Sequence, residues 1–142
     1  MISYPTSFYG TGEATSGIDK EWNVKSSEFS TKCSVPREFE GSGTAFSPED
    51  FFLLSLQNCF IATFKVFAHY SKLNFDSLKV KAELIVDKDE KQKPVMKKLL
   101  MKIEFTNVSD QKKADILVKK TLENGFILQS VKTEITAELE YN

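Results

Sequence analysis

Two cysteines, one histidine and one arginine are the side chains of this 142-residue chain best suited to uncommon chemistry. Cys59, inside the run SPEDFFLLSLQNCFIATF at 47–64, is the first candidate nucleophile. A thiol attacks as its thiolate, and it needs a cation or hydrogen-bond donor nearby to hold it ionised. The helix-start signals of this run lie around Ser47, while the helix dipole acts mainly within the first turn. An activating group for Cys59 must therefore come from another segment. The plain alternative is that Cys59 is a small apolar filler of a buried helix. Cys33 falls in a predicted strand, as an inward β residue or as a second thiol. His69 follows Cys59 by ten residues, roughly 15 Å along a helix, so the two form no Cys–His couple within one chain. There is no CxxC, and a single histidine cannot complete a zinc cluster of Cys and His. Nucleotide-cradling glycine loops, GxSxG, HExxH and EF-hand patterns are absent from the sequence, so no cofactor or metal is expected.

Composition narrows the partners. With 19 basic and 20 acidic residues the net charge is −1, which offers no electrostatic footprint for a phosphate backbone; nucleic acid is not an expected partner. Arg37 is the sole arginine, and a planar guanidinium fork among lysines suggests a specific task for it. The residues MISYPTSFYG lack the pattern of a signal peptide, and Ser55, Gln57, Asn58 and Lys65 interrupt the longest apolar stretches. The expectation is a cytoplasmic protein with free thiols and no membrane span.

The elements that must position these residues follow from pattern. Residues 1–46 read as strands with glycine turns, carrying Trp22, Val24, Phe29, Thr31, Cys33 and Val35 as half-buried positions. Ser47 as N-cap, Pro48 at the first helical position, and Glu49 and Asp50 in the first turn start a helix that runs to about Ser71. Its apolar residues cover most of the circumference, which predicts burial on all sides and a second copy of the chain as part of the cover. Two alternating strands follow, Leu78 to Val86 and Leu99 to Phe105, joined by the charged loop DKDEKQKP. Ser109 or Asp110 caps a second helix, Gly125 is expected to end it in a left-handed conformation, and Val131 to Tyr141 alternate as a last strand. The prediction is one α+β domain over 1–142 with antiparallel sheets: N-terminal strands at 1–46, a central helix at 47–71, and strand–strand–helix–strand at 77–142.

The stretch EFEGSGTAFSPEDFFLLSLQNCF resembles the signature of the OsmC/Ohr family, the osmotically inducible protein C and organic hydroperoxide resistance proteins. Ser47-Pro48-Glu49 followed by Cys59 keeps the family spacing, and the order of elements matches over residues 20–142. The resemblance implies an intertwined homodimer whose strands wrap long central helices, with sites at the subunit interface. It also implies that Cys59 is the thiolate that attacks an organic hydroperoxide, with Glu49 the motif carboxylate and Arg37 the arginine that pairs with it. An external thiol or dithiol serves as reductant, and no cofactor is needed. The family's second cysteine is missing: within Asn124 to Ser130, Gly125 stands at its position, and Arg37 is displaced by about a residue from the family register. Two functions follow as expectations. One is thiol-dependent reduction of organic hydroperoxides in oxidative-stress defence; the other is a catalytically degenerate dimer that binds a small hydrophobic ligand.

Overall fold

The computed structural model describes residues 3–142. They group into two compact units, one running to Phe52 and one from Leu53 to Asn142. Each is built on a three-stranded sheet, giving the α+β class expected from the residue pattern.

In the N-terminal unit β1 (Thr11–Glu13), β2 (Trp22–Ser26) and β3 (Phe29–Cys33) form an antiparallel meander, with Trp22 opposite Cys33 and Val24 opposite Thr31. The strands are short, and much of their apolar surface is exposed, Phe29 at 80%. After β3 the chain loops out and returns to pair Phe46 with Cys33. Ser34, fully buried, holds that loop shut: its hydroxyl donates to the Ala45 carbonyl at 3.1 Å and accepts from the Ala45 amide at 3.2 Å. Within the loop a 3-10 turn spans Arg37–Phe39. Gly41 is obligatory there, because a Cβ at this position would lie 1.9 Å from the Val35 carbonyl oxygen.

The long helix α1 (Pro48–Tyr70) begins as its sequence dictates. The Asp50 amide donates to Ser47 Oγ at 3.0 Å, and the Ser47 amide donates to Asp50 Oδ2 at 2.9 Å, a reciprocal cap. Beyond Leu53, Leu56, Phe60, Phe64 and Ala68 recur every fourth residue and are buried as one stripe. The other apolar residues of α1 are less covered: Ile61 and Phe67 are half-buried, and Val66 and Tyr70 are exposed. Burial within the chain therefore follows one stripe rather than the whole circumference. By length and composition α1 is also apolar enough to cross a membrane, despite the interrupting polar residues. Its buried stripe nevertheless packs on protein.

In the C-terminal unit β4 (Ser77–Lys88) and β5 (Pro94–Thr106) form a long antiparallel hairpin. Alternation along β5 buries Leu99, Met101, Ile103 and Phe105 on one face, against the stripe of α1. Phe64 meets Phe105 at 5.2 Å and Phe75 at 5.9 Å between ring centroids. Helix α2 (Gln111–Asn124) is capped by Asp110, whose carboxylate accepts from the Lys113 amide at 3.0 Å. A 3-10 turn at Leu128–Ser130 then leads into β6 (Glu134–Tyr141). This last strand pairs parallel to β5, a departure from the antiparallel pairing expected throughout. The cause is the intervening helix: a strand reached through an α-helical crossover runs in the same direction as the strand before it.

Candidate functional site

Cys59 occupies the middle of α1 and is half-buried, with a free thiol. Neighbouring side chains lock that stretch of helix. Gln57 Nε2 donates to the Val80 carbonyl at 2.6 Å, tying α1 to β4, and Leu56 and Phe60 are fully buried on either side of the thiol. One turn onward, Thr63 Oγ1 lies 4.0 Å from Cys59 Sγ. The i, i+4 spacing that brings the two together is visible in the sequence, although Thr63 carries no motif that would single it out.

The segment after α2 closes on the same sulfur. Gly125 is buried at the helix end, its amide donating to the Thr121 carbonyl at 2.9 Å. Contrary to expectation it is not left-handed: its φ is −62° and its ψ is 125°, extended backbone open to any residue. The helix ends here without the αL residue of a Schellman cap, and the Gln129 amide donates to the Gly125 carbonyl as the next turn forms. The glycine is explained by its surroundings instead, since a Cβ on it would lie 2.8 Å from Leu128 Cδ1 and 3.2 Å from Cys59 Sγ.

Of the other candidates, Arg37, Cys33 and Glu49 belong to the N-terminal unit and His69 to the end of α1. Glu49 is in the first turn of α1, ten residues before Cys59 in the chain. Its Oε1 is buried without a hydrogen-bond partner among the described residues. Arg37 stands on its 3-10 turn, where Nε donates to the Ser42 carbonyl at 3.4 Å. Arg37 and Glu49 form no ion pair among the described residues. Cys33, 3% exposed, has its thiol pushed above the ordinary value by burial, and the carboxylates of Glu49 and Asp50 raise it further against the lowering effect of a backbone hydrogen bond at Ser34. That environment disfavours a thiolate. His69 is exposed and meets Tyr70 edge-on at 5.2 Å. No group of three His, Cys, Asp or Glu side chains is disposed to hold a metal ion among the described residues.

The sequence profile of the OsmC-like protein family matches residues 41–140. The chain belongs to that family. The match takes in the helix start, Glu49, Cys59 and Gly125, but not Arg37 or Cys33. Among solved structures the OsmC-like chain is similar to an OsmC-like protein of unknown function from Vibrio cholerae, with a TM-score of 0.82 and 18% identity over 94% of this chain and 99% of that one. It is similar also to the organic hydroperoxide resistance protein OsmC of Legionella pneumophila, with a TM-score of 0.71 and 17% identity over 99% of each chain. A third is the organic hydroperoxide resistance protein OhrB of Bacillus subtilis, with a TM-score of 0.69 and 16% identity over 96% of this chain and 98% of that one. At such identities the likeness establishes a shared OsmC-like fold. No curated protein sequence matches the chain.

Proposed function

We propose that this OsmC-like protein reduces organic hydroperoxides at the expense of thiols, with Cys59 as the attacking group. The observation that carries the reading is the placement of Cys59: a half-buried free thiol on a tied-down stretch of α1, inside the family-matched segment and close to Gly125 at the end of α2. The thiolate attacks the outer oxygen of ROOH and the O–O bond breaks. The alkoxide leaves and takes a proton to become an alcohol, and Cys59 becomes a sulfenic acid. Resistance to organic hydroperoxides is the property named for two of the similar structures, which supports the substrate class.

Glu49 and Arg37 are proposed as the carboxylate and guanidinium that organise the site. The buried Oε1 of Glu49, without a hydrogen-bond partner among the described residues, suits an oxygen that receives a cation, and Arg37 carries the chain's one guanidinium. A homodimer is proposed on the apolar surface exposed by one copy, including Phe8 at 91%, Tyr9 at 80% and Phe29 at 80%. A reducing, cytoplasmic setting suits a protein with two free thiols and a need for external thiol. The experiment treats the protein with cumene hydroperoxide in the presence of dimedone and maps adducts by mass spectrometry. A dimedone adduct on Cys59 is expected, and its absence overturns the reading.

One observation favours a second reading, in which the protein binds a small apolar molecule without turning it over. The N-terminal unit has a pocket of about 580 Å³ with a mostly apolar lining that includes Val24, Phe29 and Phe51. Saturable binding of 1-anilinonaphthalene-8-sulfonate that Val24→Glu abolishes, together with no consumption of hydroperoxide, would favour it.

A further inference from the structure

The threonines of α1 and α2 use their hydroxyls differently. In a helix the default acceptor for a threonine hydroxyl is the carbonyl four residues back. Thr121, buried on α2, follows that rule and donates to the Leu117 carbonyl at 2.7 Å. Thr63 on α1 does not. Among the described residues its Oγ1 bonds no backbone carbonyl and stands instead 4.0 Å from the sulfur of Cys59, one turn back. Cys59, Thr63 and Phe67 form a second stripe of α1 beside the buried one, and all three are half-buried. The thiol and the hydroxyl thus share an edge that keeps part of its surface open to solvent.

A separation of 4.0 Å is long for a direct hydrogen bond to a thiol, which is itself a weak donor and a weak acceptor. It is a span that one oxygen atom bridges: an oxygen single-bonded to Sγ reaches the ordinary O–H···O spacing of about 2.8 Å from Thr63 Oγ1 at an open angle. We infer that Thr63 is a further catalytic group of the site, its hydroxyl holding the oxygen atom that Cys59 takes from a peroxide. The inference rests on the reading of Cys59 as the attacking thiol. As the peroxide arrives, its terminal O–H donates to Thr63 Oγ1, which sets the terminal oxygen against the sulfur. The thiolate electron pair then forms an S–O bond to that oxygen, and the O–O bond breaks. The alkoxide takes a proton from solvent and leaves as alcohol. Sulfur is oxidised by two electrons and the peroxide is reduced by two; the transferred oxygen keeps its hydrogen in the sulfenic acid. Thr63 ends the step unchanged, and its hydroxyl, both donor and acceptor, still bonds the oxygen on sulfur.

The test compares two reactions of the same sulfur, each followed by mass spectrometry of the Cys59 peptide. Oxidation is measured with cumene hydroperoxide and with hydrogen peroxide, the sulfenic acid being trapped by dimedone. Alkylation by iodoacetamide brings no oxygen and serves as the reference. Thr63→Val is expected to slow oxidation by either peroxide about tenfold, the worth of about one hydrogen bond, while alkylation stays within about twofold of wild type. Thr63→Ser, which returns the hydroxyl, is expected to recover the oxidation rate. Thr63→Ala, which adds no second methyl, is expected to match Thr63→Val and decides the matter where the valine variant folds poorly. Oxidation as fast without the hydroxyl as with it, a loss shared equally by alkylation, or no recovery in Thr63→Ser would each overturn the inference. The two peroxides separate the two claims. If cumene hydroperoxide leaves wild-type Cys59 untouched while the hydrogen peroxide series behaves as expected, the organic hydroperoxide reading falls and the role of Thr63 stands. Fast oxidation by cumene hydroperoxide that is indifferent to Thr63 keeps the reading and removes Thr63 from it.

Discussion

Cys59 and Gly125 are brought together by elements 66 residues apart in the chain, so that a single added carbon on Gly125 would stand 3.2 Å from the Cys59 sulfur. This contact joins the middle of α1 to the end of α2, and the stability of both elements bears on the site. Phe64, one buried position past Phe60 on the stripe of α1, is the anchor of that arrangement, fully buried among Phe60, Phe75 and Phe105.

Phe64→Ala is therefore expected to destabilise the protein by about 3–5 kcal/mol, the usual cost of emptying a large aromatic site in a core. Urea denaturation followed by circular dichroism measures it. A loss under about 1 kcal/mol would mean that the site collapses and that the aromatic cluster does not hold α1 to the sheet.

Alkaline pH should weaken the fold through Tyr141. Burial first, and then its hydrogen bond to the Asp115 carboxylate, hold the Tyr141 hydroxyl above its ordinary value of 10. In the unfolded chain the group loses its proton near that ordinary value, while the folded chain keeps it to higher pH. The contribution is accordingly complete below about pH 10 and is lost as pH rises beyond it. Urea midpoints between pH 8 and 11 should fall less steeply above pH 10 in Tyr141→Phe than in wild type. Identical slopes would contradict this assignment.

Cys33 should behave as an inert thiol. It is 3% exposed, and burial together with the carboxylates of Glu49 and Asp50 disfavours its thiolate. Native protein treated with a chromogenic disulfide at pH 8 is expected to release one equivalent quickly from Cys59 and a second only on denaturation. Cys33→Ser should keep the fast phase, and a fast phase lost in that variant would reverse the roles of the two thiols.

Much of this architecture could be read from local pattern. The cap at Ser47, the alternation that buries Leu99 to Phe105, and the N-cap at Asp110 are all short-range effects, written in spacing and residue type. The direction of β6 is not local, because it depends on α2 crossing between the two strands, while alternation looks the same in parallel and antiparallel edges. Gly125 shows the same limit in a single residue. A glycine after a helix has two physical explanations, a left-handed backbone or a close neighbour, and only the fold brings Cys59 near enough to decide for the second. Likewise the stripe Leu56, Phe60, Phe64 and Ala68 was hidden in an apolar helix until β5 defined which side faces the core.

Cys59 is proposed to perform hydroperoxide reduction. Its most direct test is steady-state consumption of cumene hydroperoxide with a dithiol reductant, comparing wild type with Cys59→Ser after both are shown to be equally folded. Wild type is expected to turn the hydroperoxide over and Cys59→Ser to show no rate above the uncatalysed background; equal rates for the two proteins would contradict a catalytic Cys59.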